Sequence, residues 1–210
     1  MGYTTDFIGH IDITPSLNDD EIAYLTAFSR SRRCERPGGP YDVPGNPAAE
    51  LEDAMPTEQA NIGADGQPGY WCDWEPCWDG CCLAYNGNEK FYRPVEWLRY
   101  LVKHFLKPGA AASLVDHERF AGFTFDHVLK GMVVGCRRDN KELFAITVAG
   151  NRVREKVLRT ADARYLDYPP LPYEAAIDRW DEGSRRSRRR RARQGSADVI
   201  ALPVRGASAR

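Results

Sequence analysis

The chain has 210 residues, is 42% hydrophobic and 28% charged, and carries a formal net charge of −1. That is the composition of an ordinary globule, and no apolar run approaches the length of a helical bilayer span. The near-zero total hides an asymmetry. Nine Arg and one Asp make residues 183–210 +8 and leave −9 for residues 1–182, an acidic body with a basic tail.

The N-terminus, MGYTTDFIGH, has no basic segment followed by an apolar core, so a secretory signal is not expected. It also reads M-G-x-x-x-D, without the Ser/Thr of a myristoylation site. The expected location is the cytoplasm, where thiols stay reduced and a disulfide framework is not expected.

Residues 4–13 alternate, with Phe7, Gly9, Ile11 and Ile13 on one face and Ile8, His10 and Asp12 on the other, as in a half-buried strand. A helix follows. Asn18 is the expected N-cap and Glu21, three residues on, completes a capping box. Ile22, Leu25 and Phe28 give it an apolar stripe. Asp19, Asp20 and Glu21 open it and Arg30, Arg32 and Arg33 close it, as the macrodipole favours.

Residues 34–69 are rich in Gly and Pro and predict a long loop, with a short helical turn at 48–54. Two strands, 70–77 and 81–85, then pair through a tight Asp79-Gly80 turn that sets Cys77 opposite Cys82. Pro94 suits the first position of a second helix. Trp97, Leu98, Leu101, Val102, Phe105 and Leu106 recur along it at three and four, and Pro108-Gly109 stops it. Residues 123–159 predict a three-stranded meander, turning at Asp139-Asn140 and Gly150-Asn151.

The predicted fold is α+β in the order β-α-loop-β-β-α-β-β-β, a mostly antiparallel sheet with two helices packed on one face. Residues 1–160 are read as a single domain with the 34–69 loop inside it. Residues 161–182 are a Pro-rich extension with a short helix near 172–180, and residues 183–210 a disordered Arg-rich tail.

Four cysteines and three tryptophans crowd residues 69–92. The first reading makes the cysteines small apolar residues and the tryptophans core mass. Structural zinc competes with it, through Cys72, Cys77, Cys81 and Cys82 and with Cys34, Cys136, His10 or His127 to complete a set. Against zinc, the spacing C-x4-C-x3-C-C lacks a C-x2-C knuckle, and adjacent Cys81 and Cys82 on one strand would point apart. Zinc is therefore not favoured, and no cofactor is expected.

Several of these stretches carry a resemblance: MGYTTDFIGHIDI, LNDDEIAYLTAFSRSRR, GQPGYWCDW, NGNEKFY and WLRYLVKHFL. They resemble a family of uncharacterised proteins of bacteriophages, plasmids and bacterial genomes, well over residues 1–107 and loosely over the meander. The resemblance implies a phage or mobile-element setting and no known activity. Cys72 belongs to its pattern; Cys77, Cys81, Cys82 and the Arg-rich tail do not.

No Walker loop, G-x-G-x-x-G, G-x-S-x-G or H-E-x-x-H is present. Three functional readings follow. The first is a small binding or interaction module for a protein or small ligand, with Trp71, Trp74, Trp78, Tyr85 and Tyr92 as contact mass. The second is a hydrolase-like enzyme using His10, Asp12, Asp73 or Glu89 in a cleft beside the long loop. The third is a zinc-stabilised, nucleic-acid-associated protein. Its tail arginines, Arg185, Arg186, Arg188, Arg189, Arg190, Arg191 and Arg193, would contact phosphates without sequence preference. His104, one turn beyond Tyr100, is expected to cap its helix or face solvent.

Overall fold

A computed structural model describes residues 3–44, 61–162 and Arg179. The turn expected at 48–54, the tail 183–210, and all but Arg179 of the helix near 172–180 lie outside those residues. The chain divides into the units Met1–Leu166 and Asp167–Arg210; the fold below is that of the first.

Six strands form one sheet: β1 Thr5–Thr14, β2 Trp74–Pro76, β3 Cys82–Tyr85, β4 Val128–Arg137, β5 Leu143–Ala149 and β6 Arg152–Arg159. Their order across the sheet is β2-β3-β1-β4-β5-β6, and every neighbouring pair is antiparallel. Among the described residues two α-helices, α1 Asp19–Arg30 and α2 Pro94–Leu101, interrupt the strands in the predicted order.

The period-two pattern of β1 puts Ile11 and Ile13 in the core and leaves Ile8, His10 and Asp12 exposed. Its long partner β4 does the same, burying Leu129 and Val133 and exposing Lys130 and Met132. Gly9 is required where these two strands cross closely. It has φ +108°, and a Cβ there would lie 2.5 Å from the Met132 carbonyl oxygen.

Helix α1 starts as its capping box dictates. Asn18 Oδ1 accepts from Glu21 N at 3.0 Å, and Asn18 N donates to Glu21 Oε2 at 2.9 Å. Pro94 stands at the first turn of α2, after Arg93 at φ 55°. The helix runs on as a π turn over Val102–Leu106, so the last apolar residues of the stripe stay buried. Both helices cover the same sheet face. Leu25, Phe28, Trp97, Leu98, Leu101 and Phe105 join Ile11, Leu83, Leu129, Val133 and Ile146 in one core. At about 25 cal/mol per Å² of apolar surface, that shared burial is what holds helices and sheet together.

Three local expectations need correction. Arg33 does not close α1, which ends at Arg30 with Ser31 as its C-cap. It is fully buried, with its guanidinium 4.0 Å above the Phe28 ring and bonded to Ser31 Oγ, Gln67 Oε1 and the carbonyls of Pro40 and Asp42. His104 is half-buried. Its Nδ1 lies 2.7 Å from the Tyr41 hydroxyl, its ring stacks on Tyr100, and burial pushes its pKa down to about 4. In the β4–β5 turn the left-handed residue is Lys141, at φ 53°, rather than Asp139 or Asn140. Gly150 and Asn151, with φ 55° and 67°, form the β5–β6 turn as expected.

Candidate functional site

Strand β2 is only three residues long, and the chain before it, residues 69–73, has no ladder partner. That segment and the turn after β3 are held by single backbone bonds and by side chains. Asn86 N donates to the Asp73 carbonyl at 3.0 Å, Asn86 Nδ2 to Ser29 Oγ at 3.2 Å and Asn88 Nδ2 to Asp73 Oδ1 at 3.2 Å. Arg30, in the last turn of α1, grips Glu75 with two bonds of 2.6 and 3.3 Å. The bidentate geometry fixes both side chains.

The result is a polar hollow of about 540 Å³ walled by Arg30, Trp71, Asp73, Glu75, Asn86 and Asn88, with Glu89 at its rim. A second hollow, of about 610 Å³, shares Trp71 and Glu89 with it and adds Tyr70, Tyr92, Arg93 and Trp97. The two adjoin as one groove, polar and acidic at one end and aromatic at the other. Each volume lies within the range of small-molecule sites. The floor is fixed by Arg93, which donates to the Pro68 carbonyl at 2.9 Å, and by the Tyr70 hydroxyl, which donates to the Asn61 carbonyl at 2.6 Å.

Two groups in this groove are unusual. Asp73 is 2% exposed, and burial raises its carboxyl pKa, although bonds from Asn88 and Asn86 pull it back. Trp97 is fully buried, and its indole N–H, beside Gly69, has no acceptor among the described residues. Trp74 supplies the contrast, since its N–H reaches the Pro94 carbonyl at 2.8 Å. A buried N–H without a partner is uncommon and costs about 1–3 kcal/mol.

The five aromatics expected to bind do not share one face. Trp71 and Tyr92 line the groove. Trp74 is 1% exposed and belongs to the core, packed edge-on against Phe7 and Phe91. Tyr85 is half-buried, stacked on Phe91, its hydroxyl on the Asn88 carbonyl. Trp78 stands at the hairpin tip, 90% exposed. The four acid–base candidates also separate. Asp73 and Glu89 line the groove, whereas His10 and Asp12, paired at 3.2 Å, sit on the exposed sheet face of β1.

The cysteines divide as well. Cys72 is fully buried, and burial pushes its thiol pKa far up, as in a small apolar core residue. Cys77, Cys81 and Cys82 converge, their sulfurs within 4.8 Å of one another. The expectation that Cys81 and Cys82 point apart fails because β3 begins only at Cys82. Cys81 still belongs to the turn, so strand alternation does not govern it. Gly80 N donates to the Cys77 carbonyl at 3.1 Å and Cys77 N to the Cys82 carbonyl at 3.0 Å, so Trp78 and Asp79 form the turn centre. Asp79 Oδ1 lies 3.0 Å from Cys77 Sγ. Hydrogen bonding to Asp79 and Cys77 raises the Cys81 thiol to about 11, and burial raises Cys82 to about 12.

Arg30, Asn86, Asn88 and Trp97 are groove residues that sequence reading does not select. Asn86 and Asn88, in the turn NGN, carried the only available signal, as paired amides beside an aromatic strand. Comparison with protein-family models, with curated proteins and with solved structures finds no match.

Proposed function

We propose that this chain is a binding module whose ligand lies along the Trp71 groove. The observation that carries the reading is the groove's division into a polar half and an aromatic half that share Trp71 and Glu89. At the other end Asp73, Glu75, Asn86 and Asn88 offer carboxylate and amide oxygens to hydroxyl donors. Trp71 and Tyr92 offer apolar ring surface. A compact ligand with one apolar ring face and several hydroxyls, of saccharide type, matches that sequence of surfaces. Among the described residues no helix is long and apolar enough to cross a membrane, and the groove needs none.

A panel of mono- and oligosaccharides titrated by calorimetry tests this. Binding by the wild type that weakens at least tenfold in Trp71→Ala supports it, because losing one stacked aromatic typically removes more than about 1 kcal/mol. Binding that ignores Trp71→Ala, or no heat from any member of the panel, counts against it. A second reading rests on the raised Asp73 carboxyl, which suits a general acid beside Glu89. Products in the same titration mixtures, absent in Asp73→Asn, would identify an enzyme.

A further inference from the structure

We propose that Cys77, Cys81 and Cys82 bind one thiophilic cation of the zinc class as a three-thiolate site. The reading is separate from the groove, which none of the three residues lines.

Three observations support it. Sulfurs bound at about 2.3 Å to one tetrahedral ion stand about 3.8 Å apart. Cys77 Sγ and Cys81 Sγ are 3.6 Å apart, and all three sulfurs lie within 4.8 Å. Little movement is needed to close the set. Next, the frame is already built. Cys82 N donates to Cys77 Sγ at 3.0 Å, which is the outer hydrogen bond that stabilises a ligating thiolate. The turn is held by its own two backbone bonds and by Gly80, where a Cβ would lie 2.5 Å from the Leu17 carbonyl oxygen. Last, packing does not explain these thiols. Cys34 and Cys72 are fully buried and serve as small core residues, whereas Cys81 is exposed and Cys77 and Cys82 are half-exposed. Exposure also gives an ion a path in.

On binding, each S–H proton leaves to solvent as a metal–sulfur bond forms. The three thiolates leave a fourth position beside Asp79, whose carboxylate already contacts Cys77. The ion would staple the end of a hairpin whose strands are only three and four residues long. The two short strands gain a cross-link that their few ladder bonds do not supply.

The test uses the full chain, kept reduced and titrated with cadmium, whose thiolate charge-transfer absorption reports sulfur ligation. The expected result is saturation at one ion per chain, displacement by zinc, and at least tenfold weaker binding in both Cys77→Ser and Cys81→Ser. Cys136→Ser should bind as the wild type does. Because Cys81 is exposed, Cys81→Ser keeps the fold, which circular dichroism verifies. Fully reduced thiols with no charge-transfer absorption would overturn the proposal. So would absorption that survives the Cys77→Ser/Cys81→Ser double substitution, or a trio that only forms disulfides in air and never holds the ion when reduced.

Discussion

His127 Nε2 lies 3.1 Å from Glu21 Oε1, with both side chains 1% exposed. This buried pair ties the first turn of α1 to the start of β4. Glu21 Oε1 also accepts from Thr124 N at 2.8 Å, and Glu21 Oε2 from Asn18 N. His127 Nδ1 lies 2.8 Å from the Pro15 carbonyl, so both ring nitrogens face acceptors, and only the protonated ring can donate to both. One carboxylate thus serves as capping-box residue and counter-ion at once.

The pair predicts a stability maximum in mildly acidic solution. Burial alone would raise the Glu21 pKa, but bonds from His127, Asn18 and Thr124 lower it from 4.5 to about 2. Its contribution is present above pH 4.5 and is lost as pH falls towards 2. For His127, burial alone would lower the pKa, and the bonds to Glu21 and Pro15 raise it above its ordinary 6.5. That contribution is complete below pH 6.5 and is lost as pH rises through the elevated value. Melting temperature against pH should peak between about 4.5 and 6.5 relative to Glu21→Gln. Breaking the pair should cost about 3–5 kcal/mol near pH 5.5. A profile parallel to the variant's would refute the linkage.

Arg33 predicts a second large effect. Its buried guanidinium meets four neutral oxygens, those of Ser31, Gln67, Pro40 and Asp42, at 2.7 to 3.2 Å. A lysine ammonium has no planar fork and reaches fewer of them. Arg33→Lys should lose about 2–4 kcal/mol in urea unfolding, since each hydrogen bond to a charged group contributes about 1.5–3 kcal/mol. A change below about 0.5 kcal/mol, the range of a surface substitution, would show that the guanidinium is not the anchor of the 40–42 segment.

Trp74 and Trp78, four residues apart, should separate cleanly by stability. Trp74→Ala removes a core side chain and should cost about 3–5 kcal/mol. Trp78→Ala, at the exposed tip, should stay within about 0.5 kcal/mol. Chemical unfolding of the two variants decides it, and equal losses would contradict the placement of Trp74 in the core.

Gly80 marks the hairpin turn as strained for any other residue. Its φ is +70°, and the Leu17 carbonyl occupies the space of a Cβ. Gly80→Ala should cost more than about 1 kcal/mol, since backbone and contact penalties add. Thermal unfolding measures it, and a neutral outcome would show that the turn can move away from Leu17.

How far the sequence reaches is visible in particular residues. Asn18, Glu21, Pro94 and the α2 stripe carry local rules, in capping chemistry and a period near 3.6, and the structure has them where those rules put them. The β1 alternation is equally local. The tryptophans differ because side-chain type sets their contact mass and not its direction. Trp71 and Trp74 look alike along the chain and part only when the short β2 places one in the core. Cys81 was misread because strand parity was extended one residue past the strand end. His104 escapes the pattern because charge type points to solvent while Tyr41, remote in sequence, covers it, and Arg33 because α1 ends before it and the carbonyls of Pro40 and Asp42 draw it inward. The groove joins residues from 30 to 97, a long-range product that no local pattern announces.

The groove reading is tested most directly at the Trp71 indole. Trp71, Trp74, Trp78, Trp97 and Trp180 give the chain five indole N–H groups, separable in a proton–nitrogen correlation spectrum and assignable by single substitution. With a saccharide that binds in calorimetry, the Trp71 signal should move most, and the Trp97 signal with it because its ring backs the same groove, while Trp74 and Trp78 stay in place. A bound ligand that shifts Trp78 and leaves Trp71 unchanged would contradict the account.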